Sequence, residues 1–427
     1  MKRRDFLGWS AVGGALGSAL CVAVSRSAWA ALSDAPAPAS TQTSTPASPQ
    51  AGRLVVVFLR GAVDGLSVVV PHGDPEYYRA RDAIAIAPPG REDGGLDLDG
   101  YFALHPSLAS LMPYWQSGQL AFVHAAGSND PTRSHFDAQD YMESGTPGRK
   151  TTADGWVNRM LGVLPGGGSA LNMGAVMPRA LAGAQPVAVL ASGKAATRPS
   201  PLDRPRIGAA FDQLYRGNDK LSDAYREARQ SRKEMMAKLS TENLESEMQA
   251  ANNGAALPNV FVDDAGRLAR LMRGDPRIRV GFLGVGGWDT HANQGGSRGQ
   301  LANRLQALGQ GLASLAQGLG PALADTVIVV MSEFGRTVRQ NGNGGTDHGH
   351  GNVMWLLGGP VAGGRIHGRW PGLASSALYE GRDLAVTTDF REVLAAVVMR
   401  HLRIPDQQLV TLFPDFRGTG SLPLLRA

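Results

Sequence analysis

The stretch Arg53-Leu54-Val55-Val56-Val57-Phe58-Leu59-Arg60-Gly61-Ala62-Val63-Asp64-Gly65 decides the fold class. Leu54 to Leu59 is an unbroken apolar run without polar alternation. Such a run belongs to a strand covered on both faces, as in parallel sheets between helix layers. It stops at a glycine-containing turn that carries the carboxylate Asp64. In open parallel sheets, ligands sit just beyond the carboxyl ends of strands, so Asp64 is a candidate ligand by position alone.

The same layout recurs along the chain. Arg279 to Val285 reads as a strand and ends in Gly286-Gly287-Trp288-Asp289-Thr290-His291. Leu301, Leu305, Leu308, Leu312, Leu315 and Leu319 then alternate at spacings of four and three, one apolar helical stripe. Thr326 to Met331 is another buried strand, ending in Ser332-Glu333-Phe334-Gly335-Arg336. Strand, helix, strand is the crossover unit of a parallel sheet. Leu120 to His124 reads as a further strand, with a helix starting near Ser134 and a late helix at Asp389 to Arg400. The expected architecture is therefore α/β, a doubly wound, mainly parallel sheet over residues 53–427.

Upstream, Met1 to Leu7 reads as a twin-arginine export signal: Arg3 and Arg4 precede Phe6 and Leu7. A modestly apolar, Gly-rich stretch follows, and Ala28-Trp29-Ala30 offers the small residues a signal peptidase cuts after. A stable span would need about 20 strongly apolar residues, so residues 1–30 are expected to be a cleaved signal and to leave no membrane span. The twin-arginine translocase is the implied partner during export, and the destination periplasmic or secreted. Residues 31–52, rich in Ala, Pro, Ser and Thr, should form a disordered linker.

Cleavage after Ala30 removes Cys21, the one cysteine, so neither disulfides nor a thiol nucleophile are available. Any metal site must use His, Asp and Glu. The formal charge of +5 falls to +2 once Lys2, Arg3, Arg4, Arg26 and Asp5 leave with the signal. That is too little to argue for nucleic acid. Residues from about 205 to 255, long and highly charged, read as a solvated helical insert.

Carboxylates and imidazoles follow each strand. Asp64, Asp289, His291 and Glu333, joined by Asp347-His348-Gly349-His350, would converge on one rim and suit a divalent ion such as Zn²⁺, Mn²⁺, Mg²⁺ or Ca²⁺. Such an ion acidifies bound water and stabilises phosphoryl- or sulfuryl-type transition states. Arg336 would bind a small anionic ester or pair with Glu333. Ser134 and Thr132 would cap the helix that follows or serve as an alkoxide nucleophile, with His135 beside them for acid–base work. His72, His105 and His124 read as structural.

The motifs Ser134-His135-Phe136-Asp137-Ala138-Gln139, Gly287-Trp288-Asp289-Thr290-His291, Ser332-Glu333-Phe334-Gly335-Arg336-Thr337, Thr346-Asp347-His348-Gly349 and Thr388-Asp389-Phe390-Arg391 resemble the DUF1501 family. With the 54–66 stretch, the resemblance runs from about Arg53 to Phe413. That family is similar to the alkaline phosphatase and sulfatase superfamily, which implies a metal-centred site and ester hydrolysis. Asp64, Asp289 and His348 fit that superfamily's pattern. The pattern departs at Asn293, which stands where its histidine would follow Asp289, and at Glu333-Phe334, which replaces Asp-His. Asn129 occupies the nucleophile position, leaving Ser134, Thr132 or no residue to attack. One metal, or a remodelled site, is as compatible as two.

Overall fold

A computed structural model describes residues 52–193, 213, 215–217, 222 and 252–426. The expected export signal and nearly all of the expected linker and helical insert lie outside the described residues. Arg53–Leu59 forms β1, buried along its whole length. Its neighbours are β8 (Ile278–Val285) and β9 (Thr326–Ser332), both parallel to it. Beyond β8 come β6 (Ser169–Met173) and β7 (Val187–Leu190), also parallel. On the other side β10 (Asn352–Leu357) runs antiparallel to both β9 and β5 (Leu120–Gly127). Two short strands, β11 (Arg365–His367) and β12 (Thr388–Asp389), flank β5 in parallel. The sheet order is β11-β5-β10-β9-β1-β8-β6-β7. A separate small sheet holds β2 (Val69–Val70), β3 (Leu96–Asp97) and β4 (Ala103–Leu104).

Side chains alternate along β1, so Val55, Val57 and Leu59 enter one core while Leu54, Val56 and Phe58 enter the other. Helices cover both faces for that reason. The second face is closed by α1 (His135–Ser144), α2 (Trp156–Val163) and α5 (Phe390–Arg400). The first is closed by α3 (Pro258–Gly274) and α4 (Gln300–Leu319). All six leucines of the predicted stripe in α4 are buried. Because close-packed cores relax only partly when truncated, Leu308→Ala should cost about 2–5 kcal/mol in urea unfolding, with no change in the rim described below.

The fold gathers one rim. β1, β5, β8 and β9 end there, and the connection from β9 back to the antiparallel β10 brings residues 333–351 over the same edge. Among the described residues, no helix is long and apolar enough to cross a membrane.

Candidate metal centre

Three imidazoles meet at Asp289. His135 is the first residue of α1, where Ser134 closes the helix N-terminus by accepting from Asp137 N at 3.5 Å. His291 lies two residues beyond Asp289 in the loop after β8, and His348 comes from the loop between β9 and β10. Their Nε2 atoms stand 3.5 Å (His135), 3.1 Å (His291) and 3.3 Å (His348) from Asp289 Oδ1. His291 Nε2 and His348 Nε2 are 2.9 Å apart. His135, Asp289 and His348 each offer one ligand atom, and those atoms lie within 4.8 Å of one another.

The opposite nitrogen of every ring is held by an oxygen. His135 Nδ1 is 2.9 Å from Glu333 Oε1, His291 Nδ1 3.2 Å from Asp347 Oδ1, and His348 Nδ1 2.8 Å from the Arg133 carbonyl. Oxygen acceptors on Nδ1 fix the tautomer that leaves Nε2 as a lone-pair donor, the usual support of a metal-ligating histidine. Asp289 Oδ1 also accepts from Arg336 Nη2 at 2.6 Å. With Nδ1 carrying the proton, each Nε2 turns a lone pair toward a carboxylate oxygen that itself offers only lone pairs. A cation among the Nε2 atoms removes that conflict.

The electrostatics follow from the same contacts. Burial opposes the charge of Asp289, yet hydrogen bonds from His135 and His348 and the Arg336 guanidinium hold its carboxyl far below the usual range. Burial disfavours the His135 imidazolium, but the Asp289 and Glu333 carboxylates lift it to about 9. Glu333 is fully buried, and its hydrogen bonds from His135 and Gln139 keep it ionised against desolvation. Its Oε1 also accepts from Gly61 N at 2.7 Å. Gly61 has φ +110°, and a β carbon there would lie 2.7 Å from Asp289 N, so no side chain fits between β1 and the Asp289 loop.

The family signature described as "Protein of unknown function (DUF1501)" matches residues 51–413. The chain belongs to the DUF1501 family. No curated protein matches it. Solved structures similar to this DUF1501 chain include Ps i-CgsB in complex with k-i-k-neocarrahexaose, at 10% identity, covering 88% of this chain and 76% of that one, TM-score 0.41. Another is a protein in the alkaline phosphatase superfamily from Vibrio parahaemolyticus, at 9% identity, 75% and 63% coverage and TM-score 0.38. A third is the PsFucS1 sulfatase from Pseudoalteromonas sp., at 13% identity, 84% and 68% coverage and TM-score 0.37.

The rim of this DUF1501 protein rearranges several sequence expectations. Asp64 lies outside the cluster. It is fully buried in a two-pronged ion pair with Arg81, at 2.6 and 3.0 Å, and accepts from Ser67 Oγ and Gln294 Nε2. Despite burial, Arg81 holds its carboxyl below the usual value. His350 also lies outside; it stacks on Tyr379 at 4.2 Å between ring centroids, and burial lowers its pKa. Glu333 and Asp347 stand behind His135 and His291. Arg336 neither pairs with Glu333 nor faces solvent: it is wholly buried and donates to the carbonyls of Gly61, Ala62, Trp288 and Thr346 besides Asp289. Ser134 Oγ caps α1, and Thr132 Oγ1 accepts from Ser134 N at 3.2 Å. His135, expected in acid–base work, belongs to the cluster. Its signal was the Ser-His pair at a helix start, which puts an imidazole on the first turn facing the rim.

Proposed function

We propose that this chain is an exported hydrolase of phosphate or sulfate esters that works with one divalent ion held by His135, Asp289, His291 and His348. The observation that carries the proposal is the convergence of three Nε2 atoms on Asp289 Oδ1 with all three Nδ1 atoms backed by oxygens. Imidazole-rich donors suit zinc and its transition-metal neighbours, whereas Mg²⁺ and Ca²⁺ call for oxygen ligands. A tetrahedron of nitrogen and oxygen ligands about 2.0–2.1 Å from zinc has edges of roughly 3.3–3.4 Å. Four of its six edges are given by the separations of 2.9 to 3.5 Å, which bracket that value; His135, Asp289 and His348 form the mutually close trio, and His291 joins it through Asp289 and His348. When bound, such an ion polarises an ester oxygen and acidifies water.

The chain's own residues prepare that chemistry. Arg336 orients the Asp289 carboxylate, Glu333 and Asp347 fix ring tautomers, and the Arg133 carbonyl sets the His348 plane. The twin-arginine signal and the absence of cysteine after cleavage support export in a folded state, so that the cytoplasm loads the ion.

Turnover of aryl phosphate and aryl sulfate esters tests the reading. Wild-type protein should hydrolyse at least one class, and chelation or Asp289→Ala should lower kcat/KM by roughly a hundredfold or more. One observation favours a second reading, an exported metal-binding protein without turnover: the hydroxyls of Thr132 and Ser134 both serve as acceptors at the start of α1. Stoichiometric metal with no hydrolysis of either ester would select it.

A further inference from the structure

An anionic ester needs a positive group besides the ion, and most arginines around the rim are already spent. Arg336 is enclosed. Arg133 is paired with Glu380 at 2.6 Å and Asp383 at 2.8 Å. Arg382 is held by Asp383 at 3.0 Å and by the His348 carbonyl at 2.8 Å. Arg60 is bound to Glu143 and Gln139, each at 2.6 Å.

Arg304 differs. It lies early in α4, and its Nη1 reaches back to the carbonyl of Gly287, two residues before Asp289. A β carbon on Gly287 would sit 3.6 Å from Arg304 Nε and 3.8 Å from Cζ, so the guanidinium lies along the loop that presents Asp289. Among the described residues, no carboxylate is within ion-pair distance of Arg304. Burial lowers its pKa and the Asp289 charge only partly offsets this. A guanidinium carries five N–H donors, and here one protein acceptor is met while the remaining nitrogens are not sealed from solvent. Such a half-buried fork with unused donors matches a planar pair of oxyanion oxygens.

We propose that Arg304 is the cation that grips the phosphate or sulfate group of the substrate beside the Asp289 centre, an assignment that rests on the hydrolase reading for the identity of its ligand. Titration calorimetry of the purified mature chain with inorganic phosphate and with sulfate reads it directly. Arg304→Ala should weaken binding of the preferred anion about ten- to a hundredfold, the range of one charge-assisted hydrogen-bonded contact. Metal content and thermal midpoint should not change. Arg304→Lys should recover part of the affinity, because it restores the charge without the fork. An Arg304→Ala protein that binds both anions like wild type overturns the assignment, and so does a wild type that binds neither. If wild type is metal-free and inactive yet loses phosphate binding with Arg304→Ala, the assignment stands and the hydrolase reading fails. If the ester KM is unmoved in an active, metal-loaded Arg304→Ala protein, the hydrolase reading stands and the assignment fails.

Discussion

Asp289→Ala is expected to abolish stoichiometric metal, with affinity falling at least about a hundredfold, beyond what loss of a supporting residue alone causes. Asp289 Oδ1 is the atom on which all three Nε2 groups converge, so no other single change disturbs as many ligand contacts. The change also strips Arg336 of its carboxylate, although the carbonyls of Gly61, Ala62, Trp288 and Thr346 still hold it. His348→Ala separates the two effects, since it leaves the Asp289–Arg336 pair in place and removes, besides contacts with Asp289, His291 and the Arg133 carbonyl, only ring packing on His135 and Phe334 among the described residues. It should lose metal with little loss of stability. Inductively coupled plasma mass spectrometry on both variants, beside urea unfolding, checks the pair. Full metal content in either variant would sink the ligand set.

The largest stability effect is expected at Asp64, away from the ligands. Asp64→Asn leaves the wholly buried Arg81 guanidinium facing a neutral amide, and breaking a buried pair from one side costs about 3–5 kcal/mol. Asp64→Leu combined with Arg81→Met should recover part of that loss, because no lone charge then remains inside, although the Thr337 and Val338 carbonyls lose a donor. The pH dependence has a definite sign. The Asp64 carboxyl is held below its usual value when folded, so its contribution is complete above about pH 4 and declines as pH falls through the depressed folded value. The gap between wild type and Asp64→Asn should therefore be full at pH 7 and narrow in acid. A gap that widens in acid would contradict the pairing.

Much of the frame was legible because continuous apolar runs and a strict leucine stripe leave few alternatives. β1, β8, β9 and α4 lie within a residue or two of where Leu54–Leu59, Arg279–Val285, Thr326–Met331 and Leu301–Leu319 placed them. β6 and β7 were missed: each is short, and Ser169-Ala170-Leu171-Asn172-Met173 has neither a β-branched run nor alternation. The rim could be read as a rim, since β1, β8 and β9 each run into ligand-type residues. Roles within it could not, because they depend on partners distant in sequence. Asp64 sits where a ligand would, but Arg81 folds back and neutralises it. Arg336 read equally as a substrate clamp or a partner of Glu333, and five acceptors enclose it instead, while Arg304 carried no signal in the sequence.

The central claim is that three imidazoles and Asp289 hold one ion. X-ray absorption at the zinc edge, on chain purified without added metal, tests it most directly. The expected result is about one zinc per chain, in a shell of four nitrogen and oxygen ligands near 2.0–2.1 Å with scattering from three imidazole rings. A protein without stoichiometric metal, or a shell made of oxygens alone, would contradict it.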